Sequence, residues 1–523
     1  DGSDAVLKQL EQSGLRGRGG AGFSTAMKWT FCRDACGDQH YVVCNADEGE
    51  PGTFKDRVLL NQYADTVFEG MTLCAAVVGA RQGFLYLRGE YRHLVEPLSA
   101  VLQRRRDQGL LGQGILGQSG FDFDIEIQLG AGAYICGEES SLIESLEGKR
   151  GIPRNRPPFP VSQGYLQQPT VVNNVETFMA AALIAWHGGD WFAQKGTATS
   201  QGTKLLSISG DCSKPGIYEY PFGTTLEQIL KDCGAVDTQA VQVAGAAGST
   251  HPASEFHRTI AFDDISTGGS LMVFDQSRDL LQMVQNFADF FVHESCGFCT
   301  PCRVGGSLLR DLVSKVNAGY ASEYDLEEMR KIGALMQQAS HCGLGVTAPQ
   351  SVLDTLEKFP HLYADKLAAA DFVPAFDLDA SLAQTRLLSG RDDAAAHLEN
   401  DRVPFEAGDT VMDAAMRCGI YIPHLCHNPD FAPHGSCRVC VVTFNGREVS
   451  SCTQPAQADA VVESEVETIQ QQRRSLLQML FVEGNHVCPA CEKSGACGGV
   501  SLWHAGSPFR AFLSTTAHGC LPF

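Results

Sequence analysis

The spacing of the cysteines constrains this chain more than any other feature of its sequence. Eleven of the 20 cysteines fall into three tight groups, and the other nine are scattered. Their density is far below that of small disulfide scaffolds. Grouped thiols beside scattered ones are typical of a reducing compartment, where thiols stay free to bind metal. We therefore expect metal centres rather than disulfides, and a cytoplasmic location.

The first group is Cys296-x2-Cys299-x2-Cys302, and Cys342 follows 40 residues after its third member. Three thiolates at this spacing wrap one corner of a cubic cluster, and a distant fourth thiolate completes the ligation of [4Fe–4S]. Four cysteines also suit a tetrahedral zinc ion. A triple at this spacing crowds a single ion, so the pattern favours the cluster.

The second group is Cys426-x10-Cys437-x2-Cys440-x11-Cys452. A single remote cysteine on each side differs from the paired C-x2-C repeats of zinc ribbons. The pattern therefore favours a [2Fe–2S] centre in a ferredoxin-like fold.

The third group combines three thiolates with one imidazole, from His486, Cys488, Cys491 and Cys497. This ligand set suits a second [4Fe–4S] cluster, and it is also a common structural zinc set. The spacing leaves both alternatives open.

Length and charge limit the class of protein. A chain of 523 residues is long enough for three or four domains. Acidic residues number 61 against 40 basic ones, which argues against general nucleic-acid binding. The longest apolar stretches, Met71–Ala80 and Phe178–Trp186, are too short to span a bilayer. No signal-peptide pattern follows Asp1, so we expect any leader to precede this sequence.

Hydrophobic periodicity divides the chain into segments of different fold class. The predicted segments are an α/β domain over 1–195, a small α+β module over 200–290, a helical domain over 291–375, a linker over 376–400, a β-rich fold with one helix over 401–470, a His/Cys₃ segment over 471–497 and a tail over 498–523.

A glycine-rich loop, Gly17–Gly22, formally matches G-x-G-x-x-G. A standard Rossmann fold requires a strand before this motif, whereas Val6–Gln12 has helical spacing. We therefore predict a different α/β fold. Glycines still let backbone N–H groups approach a phosphate or a flat ring, and Ser24 or Thr25 can cap a helix that carries Lys28. The alternative is a tight loop with surface cations.

Two further loops strengthen the ligand-site interpretation. Cys44–Gly52 gathers three carboxylates within four positions after a predicted strand. Gly130–Tyr134 follows the predicted strand Asp124–Leu129 and leads through Glu138 and Glu139 into a helix. Ligands of open α/β sheets bind beyond the carboxyl ends of the strands, where these loops can meet. Carboxylates there suit ribose hydroxyls or a nicotinamide amide; the alternative is solvated acidic turns.

With these residues in view, the chain resembles a known family. The segments over about 1–375 resemble the NADH-oxidising flavoprotein subunit of respiratory complex I, and more closely the diaphorase flavoprotein subunit of soluble NAD-reducing [NiFe]-hydrogenase. Residues 401–497 resemble the start of the partner diaphorase subunit, with its [2Fe–2S] and His/Cys₃ patterns. The blocks that carry the first likeness are Gly14–Trp29, Asn45–Asp56, Gly130–Arg150, Val172–Thr177 and Glu294–Gly305.

The resemblance implies FMN and NAD(H) sites. It implies that Glu50, Glu138 and Glu139 serve the reaction with NADH. It also implies a β-grasp-like module at 200–290 and a β-grasp ferredoxin at 401–470. The implied cofactor-binding residues are Gly17, Arg18, Gly19, Gly20, Gly22, Phe23, Lys28, Asn45, Asp47, Glu48, Tyr134, Gly137, Val172, Asn173, Asn174 and Thr177.

We therefore expect a diaphorase with FMN, NAD(H), two [4Fe–4S] clusters and one [2Fe–2S] cluster, which exchanges electrons with hydrogenase subunits. The alternatives are the NADH-input component of a formate dehydrogenase or of complex I, and, from another class, a zinc-holding scaffold. The sequence departs from the family pattern in joining two subunits through Phe376–Asn400. It also lacks the usual C-x2-C-x2-C continuation, which Gly498–Phe523 replaces, and the thioredoxin-like extension of some relatives.

Overall fold

A computed structural model describes residues 2–368, 403–428 and 430–483. The chain forms two compact units. The first comprises the residues up to Met283 together with Asp354–Pro360, and the second comprises Val284–Leu353 and the described residues from His361 onward.

A parallel four-stranded sheet organises the N-terminal part of the first unit. Its strand order is β3-β2-β1-β4, so the chain crosses over between neighbouring strands. Runs such as Tyr-Val-Val-Cys are buried on both faces, as expected of a parallel sheet covered by helices. The strands are β1 (Tyr41–Ala46), β2 (Gln82–Leu87), β3 (Asp124–Leu129) and β4 (Thr170–Asn174).

Eight α-helices accompany this sheet and build the main core with it. The long helix α3 packs its apolar residues, among them Phe68 and Met71, against the same core as Phe178 of α7. The helices are α1 (Ser3–Ser13), α2 (Thr25–Asp34), α3 (Lys55–Val78), α4 (Val95–Asp107), α5 (Glu139–Leu146), α6 (Pro160–Gln163), α7 (Val175–His187) and α8 (Gly189–Ala193).

A five-stranded mixed sheet follows in the same unit, with the order β6-β5-β9-β7-β8. Its one α-helix, α9 (Leu226–Cys233), begins at the N-cap Thr225 and buries Leu226, Ile229 and Leu230. The strands are β5 (Thr203–Gly210), β6 (Gly216–Pro221), β7 (Thr238–Val243), β8 (Ser249–Pro252) and β9 (Ser270–Asp275).

Helices then predominate up to residue 364. Helix α12 begins with a capping box between Ser322 and Asp325, which satisfies backbone N–H groups at its start. The helices are α10 (Leu280–Glu294), α11 (Thr300–Asn317), α12 (Glu323–Ala339), α13 (Gly343–Thr347), α14 (Gln350–Lys358) and α15 (Pro360–Ala364).

The described residues after 402 form a small β-rich fold and a final helix within the second unit. Its antiparallel sheet has the order β11-β10-β12. Apolar residues of the final helix, Leu476 and Met479, share a core with Val304 of α11 and with Val439. The elements are α16 (Val411–Arg417), β10 (Val441–Phe444), β11 (Arg447–Ser450), β12 (Val462–Glu463) and α17 (Glu467–Glu483).

The α/β class with a parallel sheet is confirmed, and strand β3 has the predicted bounds Asp124–Leu129. Strands β4, β8 and β12 were not predicted. Each is short, and β12 has only two residues, so the alternation that marks a strand is hardly developed. The predicted linker 376–400, the His/Cys₃ residues and the tail lie outside the described residues.

Candidate functional site

The predicted ligand loops meet at one edge of the parallel sheet. The carboxyl ends of β1, β3 and β4 lie at that edge. Strands β1 and β3 lead into two of these loops, and β4 leads directly into α7. The Asn45 amide donates to the carbonyl oxygen of Gly137 over 2.8 Å and so joins the loops after β1 and β3. The sequence therefore predicted this convergence correctly from strand direction alone.

The glycine loop reaches the same edge. The backbone N–H of Arg18 donates to Oγ1 of Thr177 over 2.9 Å, and a Cβ at Gly19 would lie 3.3 Å from Cβ of Asn174. Helix α2 begins at the N-cap Ser24 and carries Lys28 one turn later. The Lys28 ammonium donates to the carbonyl oxygen of Val172 and to Glu139 Oε2, both over 3.1 Å.

The Arg18 side chain is fully engaged within the protein. Its guanidinium donates to the carbonyl oxygens of Arg16, Gln201 and Thr203, and it lies over the ring of Phe222. Burial lowers the pKa of Arg18 to about 10, while Glu176 opposes that shift. Arg18 therefore ties the glycine loop to β5, and the loop offers its glycine backbone to a ligand.

Two of the three carboxyl groups in the acidic loop after β1, those of Glu48 and Glu50, have different hydrogen-bond partners. Glu48 accepts hydrogen bonds from the backbone N–H groups of Asp56 and Arg57 and from the Tyr91 hydroxyl. Glu50 accepts from the Tyr134 hydroxyl over 2.6 Å and from the backbone N–H of Ala247 over 3.1 Å. Burial raises the pKa of each of these two glutamates to about 7.

A buried charge network lies under this loop, and its central residue was not predicted. Lys55 donates to Asp56 over 2.6 Å and lies 3.0 Å from Glu176. Burial alone would lower the pKa of Lys55, but Asp56 and Glu176 raise it well above its ordinary value. Asn174 donates to Asp56 over 2.6 Å. In the sequence, Lys55 and Asp56 are two adjacent charged residues at the start of a helix, and this pattern does not predict a buried network.

The two glutamates after β3 differ in role. Glu138 is the N-cap of α5 and accepts from the N–H groups of Ser140 and Ser141. Glu139 pairs with Lys28 at the site edge. The half-exposed rings of Phe23 and Phe31 lie 6.4 Å apart, and only Phe23 was predicted. Two exposed rings side by side offer a stacking surface to a flat ligand.

These loops fit a flavin nucleotide. A Cβ placed at Gly17, Gly20 or Gly137 meets no protein atom closer than 3.6 Å, so side chains there would fill the space between the loops. The backbone of such glycines can approach a ring or phosphate closely. The side-chain oxygen of Asn173, at the end of β4, accepts a hydrogen bond from Nε1 of Trp29 over 3.4 Å.

A separate cavity of about 650 Å³ is lined by residues at the amino ends of β2 and β3, away from these loops.

The first cysteine group surrounds the start of α11. Cys299 is the N-cap of that helix, Cys302 lies in its first turn, and Cys342 is the N-cap of α13. The backbone N–H of His341 donates to the Cys299 sulfur over 3.5 Å. A hydrogen bond from Cys302 lowers the pKa of Cys299 to about 6, and the charge of Arg438 adds a smaller contribution.

The second cysteine group surrounds the loop before β10. The sulfurs of Cys440 and Cys452 are 3.3 Å apart. A hydrogen bond from Cys437 lowers the pKa of Cys426 to about 5, and one from Cys452 lowers that of Cys440 to about 6.

Both groups fit iron–sulfur clusters. Among the described residues, no three His, Cys, Asp or Glu side chains converge on a point that suits one metal ion. The ligands of a cluster bind different iron atoms, and each of the two groups supplies four cysteines for this purpose. The hydroxyl of Ser450 is buried two residues before Cys452 and has no hydrogen-bond partner within the described part of the chain, so it can donate to a cluster sulfide.

The predicted His/Cys₃ ligands, His486, Cys488, Cys491 and Cys497, lie outside the described residues. Over the part of the chain that the structure describes, no helix combines the length and the apolar character that a bilayer crossing requires.

Three family models match the chain in sequence order. Residues 10–182 match the Nuo51 FMN-binding domain, residues 282–366 the NADH-ubiquinone oxidoreductase-F iron–sulfur binding region, and residues 395–467 a 2Fe–2S iron–sulfur cluster binding domain.

The chain is also similar to subunits of NAD- and NADP-reducing hydrogenases and of NADH-quinone oxidoreductases. The chain is 54% identical over 382 residues to the NAD-reducing hydrogenase HoxS subunit alpha of Cupriavidus necator, covering 72% of this chain and 64% of that relative. It thus spans slightly less than two thirds of that relative's length. It is 40% identical to the NADP-reducing hydrogenase subunit HndC of Solidesulfovibrio fructosivorans, covering 68% of this chain and 75% of the relative. It is also 40% identical to an NADH-quinone oxidoreductase subunit of Aquifex aeolicus, covering 68% of this chain and 84% of the relative.

A solved structure agrees with these relatives. The chain is similar to an NAD⁺-reducing [NiFe]-hydrogenase in the H₂-reduced state, with a TM-score of 0.68 and 49% identity over 76% of this chain and 68% of that one.

Proposed function

We propose that this chain, which belongs to the flavoprotein family shared by NADH-quinone oxidoreductases and the HoxS hydrogenase, is a diaphorase that exchanges electrons between NAD(H) and a partner hydrogenase. One observation carries the proposal. A flavin-binding fold, a [4Fe–4S] region and a [2Fe–2S] domain follow one another in a single chain.

In the flavin domain, the glycine backbone at Gly17–Gly22 and Gly137 would hold FMN. Lys28 and the start of α2 place positive charge beside that backbone. FMN, when bound, supplies the chemistry that links a hydride, which carries two electrons, to one-electron carriers.

The side chains that would meet NADH are Glu50, Glu139, Tyr134 and the ring pair Phe23 and Phe31. The carboxylates suit the hydroxyls of a ribose, and the rings suit an adenine face. Because Glu138 caps α5, we assign it a structural role and assign Glu139 the role at the nucleotide. Holding the nucleotide in one orientation is the main contribution that these residues make to the rate.

The cysteines would hold the one-electron carriers. Cys296, Cys299, Cys302 and Cys342 are assigned to [4Fe–4S], and Cys426, Cys437, Cys440 and Cys452 to [2Fe–2S]. A second [4Fe–4S] at His486, Cys488, Cys491 and Cys497 completes the proposed set.

We propose the domain limits given above, with FMN and NADH at 1–195. The mixed sheet around α9 supports a β-grasp-like module at 200–290, and the sheet with α16 supports a β-grasp ferredoxin at 401–470. The proposed location is the cytoplasm, in a complex with hydrogenase subunits, with a formate dehydrogenase module or complex I as the alternative partner.

The test uses the whole chain, reconstituted anaerobically with FMN, iron and sulfide. We expect NADH-dependent reduction of ferricyanide or viologen dyes. Glu139→Gln should raise the KM for NADH roughly tenfold, which corresponds to the loss of one charge-assisted hydrogen bond, with FMN retained. The matched control is Glu126→Gln, on an exposed position of β3. A reconstituted protein that holds flavin but reduces no dye with NADH contradicts the proposal.

A further inference from the structure

A junction joins the two described cysteine groups within the second unit. The backbone N–H of Thr300 donates to the carbonyl oxygen of Ser436 over 3.1 Å. Thr300 directly follows Cys299, and Ser436 directly precedes Cys437. One hydrogen bond therefore connects the ligand loop of the first group to that of the second.

An aromatic side chain fills this junction. The ring of Phe298, from the first ligand loop, lies 5.1 Å from the ring of His341 and 5.9 Å from that of His434. His434 belongs to the second ligand loop, three residues before Cys437. The two loops thus contact each other through side chains as well as backbone.

Arg438 is a buried cation at this junction. It follows Cys437 in the second ligand loop, exposes only 9% of its surface and has a φ of +62°. An arginine gains nothing from that left-handed backbone, which costs about 1 kcal/mol or more. Its Nε has no hydrogen-bond partner among the residues that the structure describes.

Another buried arginine nearby shows what a structural role looks like. Arg473 of α17 donates to the carbonyl oxygens of Val439 and Val441 and to Ser464. It thereby holds the second ligand loop and β10 to the final helix. The Nε of Arg473 has a backbone partner, whereas the Nε of Arg438 has none among the described residues. A different explanation is therefore needed for the burial of Arg438.

Arg438 lies beside both cysteine groups. It directly follows Cys437 and precedes Cys440 by two residues, and the hydrogen bond from Thr300 to Ser436 brings the loop of Cys299 to the same place. Clusters held by four thiolates carry negative charge that increases on reduction. A nearby buried cation favours the more negative, reduced state and raises the reduction potential, because its charge is little screened there.

We propose that Arg438 acts on both centres. Its guanidinium raises the reduction potentials of the two clusters that the two cysteine groups hold. The inference rests on the proposed function, since it needs both clusters in place. It predicts that the potentials of two separate centres depend on one side chain.

The experiment is a potentiometric titration of the reconstituted full chain, in which the signals of the two clusters are followed by electron paramagnetic resonance. Arg438→Gln should lower both midpoint potentials. Arg438→Lys, which keeps the charge, should stay near wild type. The matched control is Arg417→Gln, because Arg417 is a more exposed arginine of the same module that pairs with Asp409. The control should leave both potentials unchanged.

Iron, acid-labile sulfide and thermal unfolding are measured on the same samples. If Arg438→Gln loses its clusters, Arg438→Gly carries the test, since glycine suits the left-handed backbone and also removes the charge. The inference is overturned if only one potential moves, if neither moves, or if the lysine variant shifts as far as the glutamine variant. A wild-type chain without either cluster signal refutes the proposed function, and the inference with it.

Discussion

Several polar side chains at the sheet edge form hydrogen bonds within the protein and are therefore fixed before a ligand binds. Glu48, Arg18 and Asn174 all use their side chains in bonds within the protein. Glu50 is likewise held, by Tyr134 and Ala247, and the glycine backbone is left for a ligand. Preorganised groups of this kind lose little conformational freedom when a nucleotide binds.

The carboxyl group of Glu50 should make nucleotide binding depend on pH. Burial raises its pKa to about 7, against the opposing hydrogen bond from Tyr134. Below this value the group is neutral, and above it the carboxylate accepts stronger bonds from ribose hydroxyls. We expect the KM for NADH to fall as pH rises through about 7. Glu50→Gln should flatten that profile, whereas Glu126→Gln should keep it; a wild-type KM that stays constant across this range contradicts the assignment.

The buried ammonium of Lys55 should matter for stability. Removing one partner of a buried ion pair leaves an uncompensated charge, here on Asp56, whereas Glu176 keeps its pair with Lys204. Lys55→Met should therefore lower the free energy of unfolding by about 3 kcal/mol. Arg104→Met, which breaks an exposed pair with Asp65, should cost less than about 1 kcal/mol. Urea unfolding measures both; equal losses in the two variants would show that the network is not buried.

Among the elements, the mixed sheet contributes a turn to the proposed nucleotide site. The turn between β7 and β8 brings the N–H of Ala247 to Glu50, so a carboxyl group from the parallel-sheet domain is held by the other sheet. This contact lies entirely within the first unit. It gives the module at 200–290 a part in positioning Glu50.

The fit of that turn can be tested at Gly245. Its φ is +70°, and an added Cβ would collide with Oε1 of Glu50. Gly245→Ala should displace the carboxyl group and raise the KM for NADH roughly tenfold or more, the loss of about one hydrogen bond to a charged group, while FMN binding persists. Gly117 has a φ of +75° and nothing within 4 Å, so Gly117→Ala separates backbone strain from the collision. Steady-state kinetics measure the KM for NADH, and flavin fluorescence measures FMN binding. Equal KM values in the two variants would contradict the predicted collision with Glu50.

At the scale of the whole molecule, the cysteine groups predict the metal content. Three clusters require about ten iron and ten sulfide per chain, whereas zinc at the His/Cys₃ set leaves about six of each and one zinc. We expect the first result after anaerobic reconstitution, by elemental analysis and sulfide assay. His486→Ala should remove about four iron atoms if the set holds a cluster. Zinc without sulfide at all three sets would support the scaffold alternative instead.

The order of the modules could be read from the sequence, as could the cysteine groups and the glycine loop, because residue spacing and strand–loop order are local properties of the chain. Which charged residues are taken up by bonds within the protein became visible from the packing. Arg18 and Glu138 were both predicted to face ligands, yet Arg18 bonds to β5 and Glu138 caps a helix. Lys55 meets Glu176, Glu50 meets the turn at Ala247, and the loop that carries Arg438 meets Thr300, each across a long separation in sequence. Such contacts depend on how elements pack, and no local pattern records them.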